Sequence, residues 1–134
     1  MKRGMNEMRL TQFIKTYLGK KVGSGQCVAL ARQYFEDVLE VPQFPALGEE
    51  GGAREIIDKC NNLNVTLDSV TADYSVGDIL VWDSSRTNKY GHVGILVGIY
   101  NTKYFWVMEQ DGFKQDGVKI TLRSRENLRG ALWK

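Results

Sequence analysis

Residues 78–100 read DILVWDSSRTNKYGHVGILVGIY, and this stretch decides the fold class. Its apolar residues form two runs, 78–82 and 92–100, with the period of two that is typical of β-strands. A turn at Val76-Gly77 leads into the first run. Similar runs follow after short connections, which favour antiparallel pairing over crossovers. The predicted strands are 78–82, 92–100, 104–110, 118–123 and 130–133.

The N-terminal half carries a different pattern, in which apolar residues recur at helical spacing. Residues 26–39, QCVALARQYFEDVL, make the strongest helix prediction, because they favour helix and place an apolar stripe along one face. Pro42 and Pro45 end this helix. Further helices are predicted over 6–18 and 51–60. Helices followed by strands predict an α+β domain, with the helices packed on one antiparallel sheet.

Length and composition exclude several classes of protein. The 134 residues suit a single domain spanning 1–134, and 43% hydrophobic with 25% charged residues is typical of a globular chain. A net charge of +2 without a basic stripe predicts no nucleic-acid partner. The chain has no run of about 18 apolar residues, so we expect no membrane span. The opening MKRGMNEMRL lacks the apolar core of a signal peptide, so no export signal is expected in it.

Cys27 is the first candidate for chemistry, since it follows Gly23-Ser24-Gly25-Gln26 at the start of the best predicted helix. A helix N-terminus carries partial positive charge and free N–H groups, which stabilise a thiolate and can bind an oxyanion. The alternative for Cys27 is a small apolar core residue, a common role for cysteine. Cys60 ends a predicted helix, where the dipole opposes a thiolate, and is expected to be structural.

His92 is the only histidine, so any reaction that needs an imidazole must use it. It lies in the segment 90–94, YGHVG, where a loop leads into a predicted strand, a usual place for functional side chains. The alternative is a solvent-facing histidine without a role. Its side of the strand continues with Gly94, Leu96 and Gly98, which predicts open space beside the imidazole. The opposite, β-branched side is expected to be core.

Two acids lie near His92 if its strand forms a hairpin with the next one along the chain. In one register His92 faces Glu109 directly, and in another it faces Asp111, with Glu109 as the diagonal neighbour. A shift by a single residue would place both acids on the opposite face. A two-residue turn at Tyr100-Asn101 or Asn101-Thr102 would give a register of the required kind. The alternative for both acids is solvated charge at a strand end.

Four segments in order resemble the CHAP family, the cysteine, histidine-dependent amidohydrolases/peptidases of phage endolysins and bacterial wall hydrolases. The resemblance covers nearly the whole chain and implies a papain-like fold, with N-terminal helices on a five- to six-stranded antiparallel sheet. A further segment, Gly51-Gly52-Ala53, also looks like the family pattern. The four segments are 25–30 (GQCVAL), 76–82 (VGDILVW), 91–95 (GHVGI) and 107–110 (VMEQ).

By this resemblance Cys27 is the nucleophile, His92 the general base and Glu109 the acid that orients it. The implied reaction is hydrolysis of an amide bond in bacterial peptidoglycan through a thioester, by an endopeptidase or an N-acetylmuramoyl-L-alanine amidase. Gln26 is a candidate to support the oxyanion. Asp111, which stands where the family often has Asn, is a candidate for additional orienting support.

The resemblance implies no cofactor, and the expected partner is bacterial peptidoglycan. Many phage members carry an Asp-rich calcium loop before the cysteine, but residues 19–25, GKKVGSG, contain no carboxylate, so no metal site is expected there. The expected place of action is the bacterial cell wall, reached by phage lysis or as part of a larger secreted protein. A separate wall-binding domain or subunit is compatible with this sequence.

Two other functions remain open for the same residues. The first is an amidase that acts on a non-wall substrate, and digestion of purified walls would distinguish it. The second is a non-catalytic wall-binding or phage structural domain, which would show no fast-reacting cysteine on thiol alkylation. The presence of Cys27, His92 and Glu109 together favours a hydrolase over the non-catalytic domain.

Overall fold

The structure is a computed structural model that describes residues 2–41, 44–45, 47, 52–68 and 73–134, with the backbone alone for 2–7. Helix α1 precedes α2, and a 3₁₀ turn then continues into the short helix α3 before the strands begin. The helical elements are α1 Lys2–Tyr17, α2 Cys27–Asp37, the turn Ala53–Glu55 and α3 Ile56–Lys59. The strands are β1 Asn64–Leu67, β2 Ile79–Trp82, β3 His92–Ile99, β4 Tyr104–Glu109, β5 Lys119–Ser124 and β6 Leu128–Trp133.

These strands form one antiparallel sheet in the order β1-β6-β2-β3-β4-β5. Strands β2 to β5 are neighbours in chain order, as the short connections predict, while β6 returns across the sheet to pair with β2. The α+β layout of helices first and antiparallel sheet second is therefore confirmed. The sequence analysis did not identify β1. This strand lies at a sheet edge with Val65 and Leu67 exposed, so no buried side of it reveals an alternating pattern.

The helix ends differ from their predictions. Helix α1 starts at Lys2, before the predicted residue 6, and ends at Tyr17. Helix α2 ends at Asp37, two residues before the predicted end at Leu39, because the chain turns there into the core. The predicted helix over 51–60 is a 3₁₀ turn followed by one helical turn. Two residues named in the predictions, Pro42 and Gly51, lie outside the described residues.

One side of the sheet packs on the helices. Val93 and Ile95 of β3 are fully buried in this core together with Met108 of β4, which confirms that the β-branched side of β3 is core at these positions, whereas Ile99 at the end of β3 is 55% exposed. The Tyr34 hydroxyl of α2 donates to the Gly77 carbonyl at 2.7 Å and ties the helix to the turn before β2. We call this side of β3 and β4 the helix face. Full burial of each such apolar side chain stabilises the fold by roughly 1.5–3 kcal/mol.

The other side of β3 and β4 carries His92 and Glu109, and we call it the site face. Leu96 is fully buried there in a second apolar cluster, so the open space predicted beside His92 does not extend along β3 as far as Leu96. A side chain at Gly94 would collide with Val107, and its Cβ would lie 3.6 Å from the Glu109 Cβ. The glycine therefore makes room for Val107, beside the acid, and the site face is open at its His92 end.

Candidate active site

Cys27 is the first residue of α2, and Gln26 is its N-cap in an extended conformation. The preceding loop turns through Gly23 and Gly25, whose φ angles of 55° and 82° favour glycine. The Cys27 thiol is free and half-buried. It therefore lies at the positive end of the helix dipole, within reach of a ligand, as the sequence predicts.

Gln110 clamps this loop to the end of β4. Its fully buried side-chain amide accepts from the Val22 N–H at 2.6 Å and donates to the Val22 and Gln26 carbonyls at 3.0 and 2.9 Å. Because Gln110 directly follows Glu109, the clamp sets the start of α2 against the strand that carries the acid. The sequence analysis quoted Gln110 only as part of a family segment and missed this role.

His92 joins the thiol to the acid. Its Nε2 lies 3.1 Å from Glu109 Oε1, and the Cys27 side chain is close enough to the ring to raise the pKa of the imidazole. Since Nε2 faces the carboxylate, Nδ1 is the nitrogen left for the thiol, and the tautomer with a proton on Nε2 is favoured. Burial lowers the pKa of His92, but the hydrogen bonds to Cys27 and Glu109 outweigh burial and leave that pKa raised above its usual value.

Glu109 is held by a cation that the sequence analysis missed. Arg123 Nε donates to Oε1 at 2.6 Å and Nη2 to Oε2 at 2.9 Å, so the guanidinium grips both carboxylate oxygens. Burial raises the pKa of Glu109, but the hydrogen bonds from His92 and Arg123 outweigh burial and hold that pKa at about 2. Glu109 is therefore an anion at neutral pH, although its side chain is only 2% exposed.

A β-bulge in β3 determines which face the acid occupies. Next to the connecting turn Gly98 pairs with Trp106, but the following pair is Leu96 with Val107. Val97 is therefore an extra residue in β3, opposite no residue of β4. Without the bulge, the pairing nearest the turn would continue to the site and would place the acid of β4 on the helix face.

The turn itself differs from its prediction. Four residues, 100–103, connect β3 to β4, and the Asn101 side chain closes the connection by accepting from the Tyr104 N–H at 2.9 Å. The predicted two-residue turn at Tyr100-Asn101 or Asn101-Thr102 is therefore wrong. The required register comes from the bulge instead of the turn.

If the pairing of Ile95 with Met108 continued to the ends of the strands, Asp111 would lie opposite His92. It lies beyond the end of β4, and its Oδ1 accepts from the N–H groups of Phe113 and Lys114 at 2.8 and 3.3 Å. Glu109 reaches the imidazole from the diagonal position, and Asp111 shapes a turn.

Cys27 and His92 line a cleft of about 750 Å³, a size that suits a small ligand or a stretch of peptide. Trp82 lines it beside His92, with ring centroids 5.6 Å apart. Phe113 stands at the edge and is 76% exposed. Gln26 also lines the cleft, next to Cys27, where its prediction as oxyanion support requires it to be.

The second cysteine lies apart from the cleft. Cys60 is the C-terminal cap of α3 and is buried in the core of the helix face. In the described part of the chain, no cluster of three or more His, Cys, Asp or Glu side chains is arranged to hold a metal ion.

None of the helices over the described ranges combines the length and apolar character needed to cross a bilayer.

A comparison with family models finds the CHAP domain over residues 17–111. This range runs from the end of α1 to the turn after β4. It contains Cys27, His92 and Glu109 but not Arg123. No curated protein matches the chain.

Solved structures share the fold. The chain is similar to Ly7917 (TM-score 0.73, 19% identity) and to Ly7917 with the hydrolyzing product of MDP (0.72, 20%). It is also similar to the wild type endolysin LysIME-EF1 (0.72, 15%). The matches cover 95%, 95% and 94% of this chain, which spans 62% of the length of each of those proteins. At these identities the likeness shows a common fold.

Proposed function

This chain belongs to the CHAP domain family, and from that premise we propose that it is a peptidoglycan hydrolase that cleaves an amide bond through a thioester on Cys27. The observation that carries the proposal is the arrangement of His92 between Glu109, which it bonds at 3.1 Å, and Cys27, which lines the same open cleft. A wall substrate is supported by the fold neighbours, one titled an endolysin and another solved with the hydrolyzing product of MDP.

The first half of the reaction forms the thioester. His92 Nδ1 takes the thiol proton, and the Cys27 sulfur attacks the carbonyl carbon of the bound amide. The C–N bond then breaks, and the imidazolium gives its proton to the leaving amine. The raised pKa of His92 suits this step, because it favours the imidazolium that donates the proton.

The second half of the reaction hydrolyses the thioester and releases the carboxylic acid product. His92, now neutral, takes a proton from water, and the resulting hydroxide attacks the thioester carbonyl. The carbon–sulfur bond breaks, the carboxylic acid leaves, and the sulfur recovers its proton from the imidazolium. In both halves the Cys27 N–H at the start of α2 is placed to stabilise the oxyanion, with Gln26 as the candidate second donor.

Mass spectrometry of the fragments released from purified cell walls tests the proposal. The wild-type protein should release soluble fragments with new amine and carboxyl ends, whereas Cys27→Ala and His92→Ala should release none. Cys60→Ala is the matched control and should remain active, because Cys60 is buried away from the cleft. The fragment masses also identify the bond: new ends at the lactyl group indicate an amidase, and new ends within the peptide indicate an endopeptidase.

Two results would oppose the proposal. Wall digestion that persists in Cys27→Ala would exclude the thioester route. Wild-type protein that leaves walls intact, while still hydrolysing a small amide with dependence on Cys27, would move the assignment to a non-wall amidase.

A further inference from the structure

We propose that Arg123 is a positioning residue of this reaction, whose guanidinium holds the Glu109 carboxylate so that one oxygen always faces His92. The inference rests on the proposed function of the cleft, since it assigns Arg123 to the same reaction. Arg123 lies on β5, after the end of the range that the family model matches. It lines the cleft, and its side chain is 37% exposed.

The hydrogen bonds leave the carboxylate no freedom to rotate. Glu109 Oε1 accepts from both Arg123 Nε and His92 Nε2, at 2.6 and 3.1 Å. Its other oxygen, Oε2, accepts from Arg123 Nη2 at 2.9 Å. Two parallel bonds to a planar guanidinium fix the plane of the carboxylate, and therefore fix the direction from which Oε1 meets the imidazole.

Glu109 binds the guanidinium of Arg123 and not the ammonium group of Lys119. Lys119 lies directly opposite Glu109 in the β4–β5 pairing, yet its ammonium group binds Asp116 at 3.0 Å. Arg123 lies opposite Phe105, four pairs further along, and reaches Glu109 by lying along the sheet. The carboxylate is thus held by the side chain that offers a rigid two-pronged donor, although a point charge is closer along the strand.

Trp82 supports the guanidinium from the side. The Arg123 Cζ lies 5.6 Å from the centroid of the Trp82 ring, and the Trp82 Nε1–H donates to the Ser124 carbonyl at 2.9 Å. The same ring lies beside His92. The planar guanidinium of Arg123 can stack on the Trp82 indole, which fixes its orientation. A lysine ammonium group has no flat face to stack in this way.

The positive charge of Arg123 gives this role a measurable signature. It opposes the protonation of His92, so removing the charge should raise the pKa of that imidazole. A purely structural residue would lower activity without this change. Among the described residues, the charged and titratable groups around the imidazole and the cleft are Cys27, Glu109, Arg123, Arg54, Tyr90, Asp83, Asp111 and Glu126.

Two measurements test the inference. The first is kcat and KM on a soluble wall peptide for wild type, Arg123→Lys, Arg123→Gln and Glu109→Gln/Arg123→Gln. The second is an NMR titration of the imidazole, which is free of overlap because His92 is the only histidine. Arg129→Gln is the matched control: Arg129 grips the exposed Asp58 with a similar two-pronged contact, also donates to the Arg54 carbonyl, and does not itself line the cleft.

We expect both Arg123 variants to lower kcat by about ten- to a hundredfold, with KM within about twofold. Arg123→Gln should raise the pKa of His92 by about half a pH unit or more. The double variant should be no less active than Glu109→Gln, because Arg123 acts through Glu109. Arg129→Gln should change neither measurement.

Full activity in Arg123→Gln with an unchanged titration would overturn the inference. So would a loss of activity with an unchanged titration and a double variant in which the losses multiply, since Arg123 would then act independently of Glu109. If the wild type cuts no wall but Arg123→Gln still shifts the titration, the proposed function fails and the inference stands. If Arg123→Gln does not fold, Arg123→Lys tests the inference instead. A lowered kcat together with a His92 titration like that of the wild type supports the inference, and an unchanged kcat overturns it.

Discussion

The helix face and the site face of β3 and β4 are built from alternating residues of the same two strands, and they differ in polarity and in the interactions that hold their side chains. On the helix face Val93 and Ile95 are apolar, fully buried and packed on the helices. On the site face His92 and Glu109 are also buried, but each is held by hydrogen bonds and charge. A shift of one residue in register decides whether a side chain of β4 packs in the core or lies beside His92. The bulge at Val97 makes that shift.

The largest expected effect is a difference in activity and stability between one substitution on the site face and one on the helix face. His92→Ala should lower activity by about a thousandfold or more, because the base is lost, while costing only about 1–2 kcal/mol of unfolding free energy. Ile95→Ala should do the reverse and cost about 2–5 kcal/mol with activity retained in the folded fraction. Turnover on walls and urea unfolding measure both. Equal stability losses in the two variants would contradict the distinction between the faces.

The second prediction distinguishes the two acids. Glu109→Gln should lower kcat by about ten- to a thousandfold, because the imidazole loses its anionic partner. Asp111→Asn should be tolerated, because an Asn side-chain oxygen accepts the same two backbone N–H groups in the turn. Steady-state rates of the two variants suffice. A fully active Glu109→Gln together with an inactive Asp111→Asn would assign the orienting role to Asp111 instead.

The third prediction concerns the clamp that joins the two halves of the site. Gln110→Ala leaves the N–H and carbonyl of Val22 and the carbonyl of Gln26 without this partner, so it should cost about 1–3 kcal/mol of unfolding free energy. Because α2 then loses its fixed position, kcat should fall by about tenfold. Gln12→Ala is the control, since that glutamine is exposed on α1 and bonds only Thr16, and a loss of the same size there would refute the clamp.

The smallest expected effect is a pH dependence of stability. The pKa of Glu109 in the folded protein is about 2, below its usual 4.5, so its contribution is complete above pH 4.5 and is lost as pH falls towards 2. In that window the unfolding free energy of the wild type should fall faster than that of Glu109→Gln, by up to about 1.4 kcal/mol per pH unit. Urea unfolding at several acidic pH values measures the two slopes, and equal slopes would mean that Glu109 is not held as an anion.

Much of the fold follows from local patterns in the sequence. The strand around His92 and the helix that starts at Cys27 were predictable because the periods of two and of 3.6 residues are visible over short windows. The geometry of Cys27, His92 and Glu109 brings together the three residues that the sequence analysis selected, and their catalytic roles stay predictions. Strand β1 was not predictable, because an exposed edge strand has no buried side to mark it.

Other features of the site depend on contacts between residues that are far apart in the sequence. Val97 is apolar like its neighbours in β3, so nothing local marks it as the extra residue of a bulge. The contact of Gln110 with Val22 joins residues 88 positions apart, and that of Arg123 with Glu109 joins residues 14 apart on neighbouring strands. Such contacts arise only when the sheet and α2 are assembled, and a single sequence carries no periodic signal for them.

The most direct test of the central claim is the alkylation of the two cysteines at neutral pH. Brief treatment with iodoacetamide, followed by peptide mapping and an assay of wall digestion, compares Cys27 at the start of α2 with Cys60 in the core. We predict that Cys27 is labelled much faster than Cys60, that activity is lost in proportion to Cys27 labelling, and that His92→Ala slows the labelling of Cys27. Equal labelling of both cysteines, or full activity after complete labelling of Cys27, would contradict an activated nucleophile at this position.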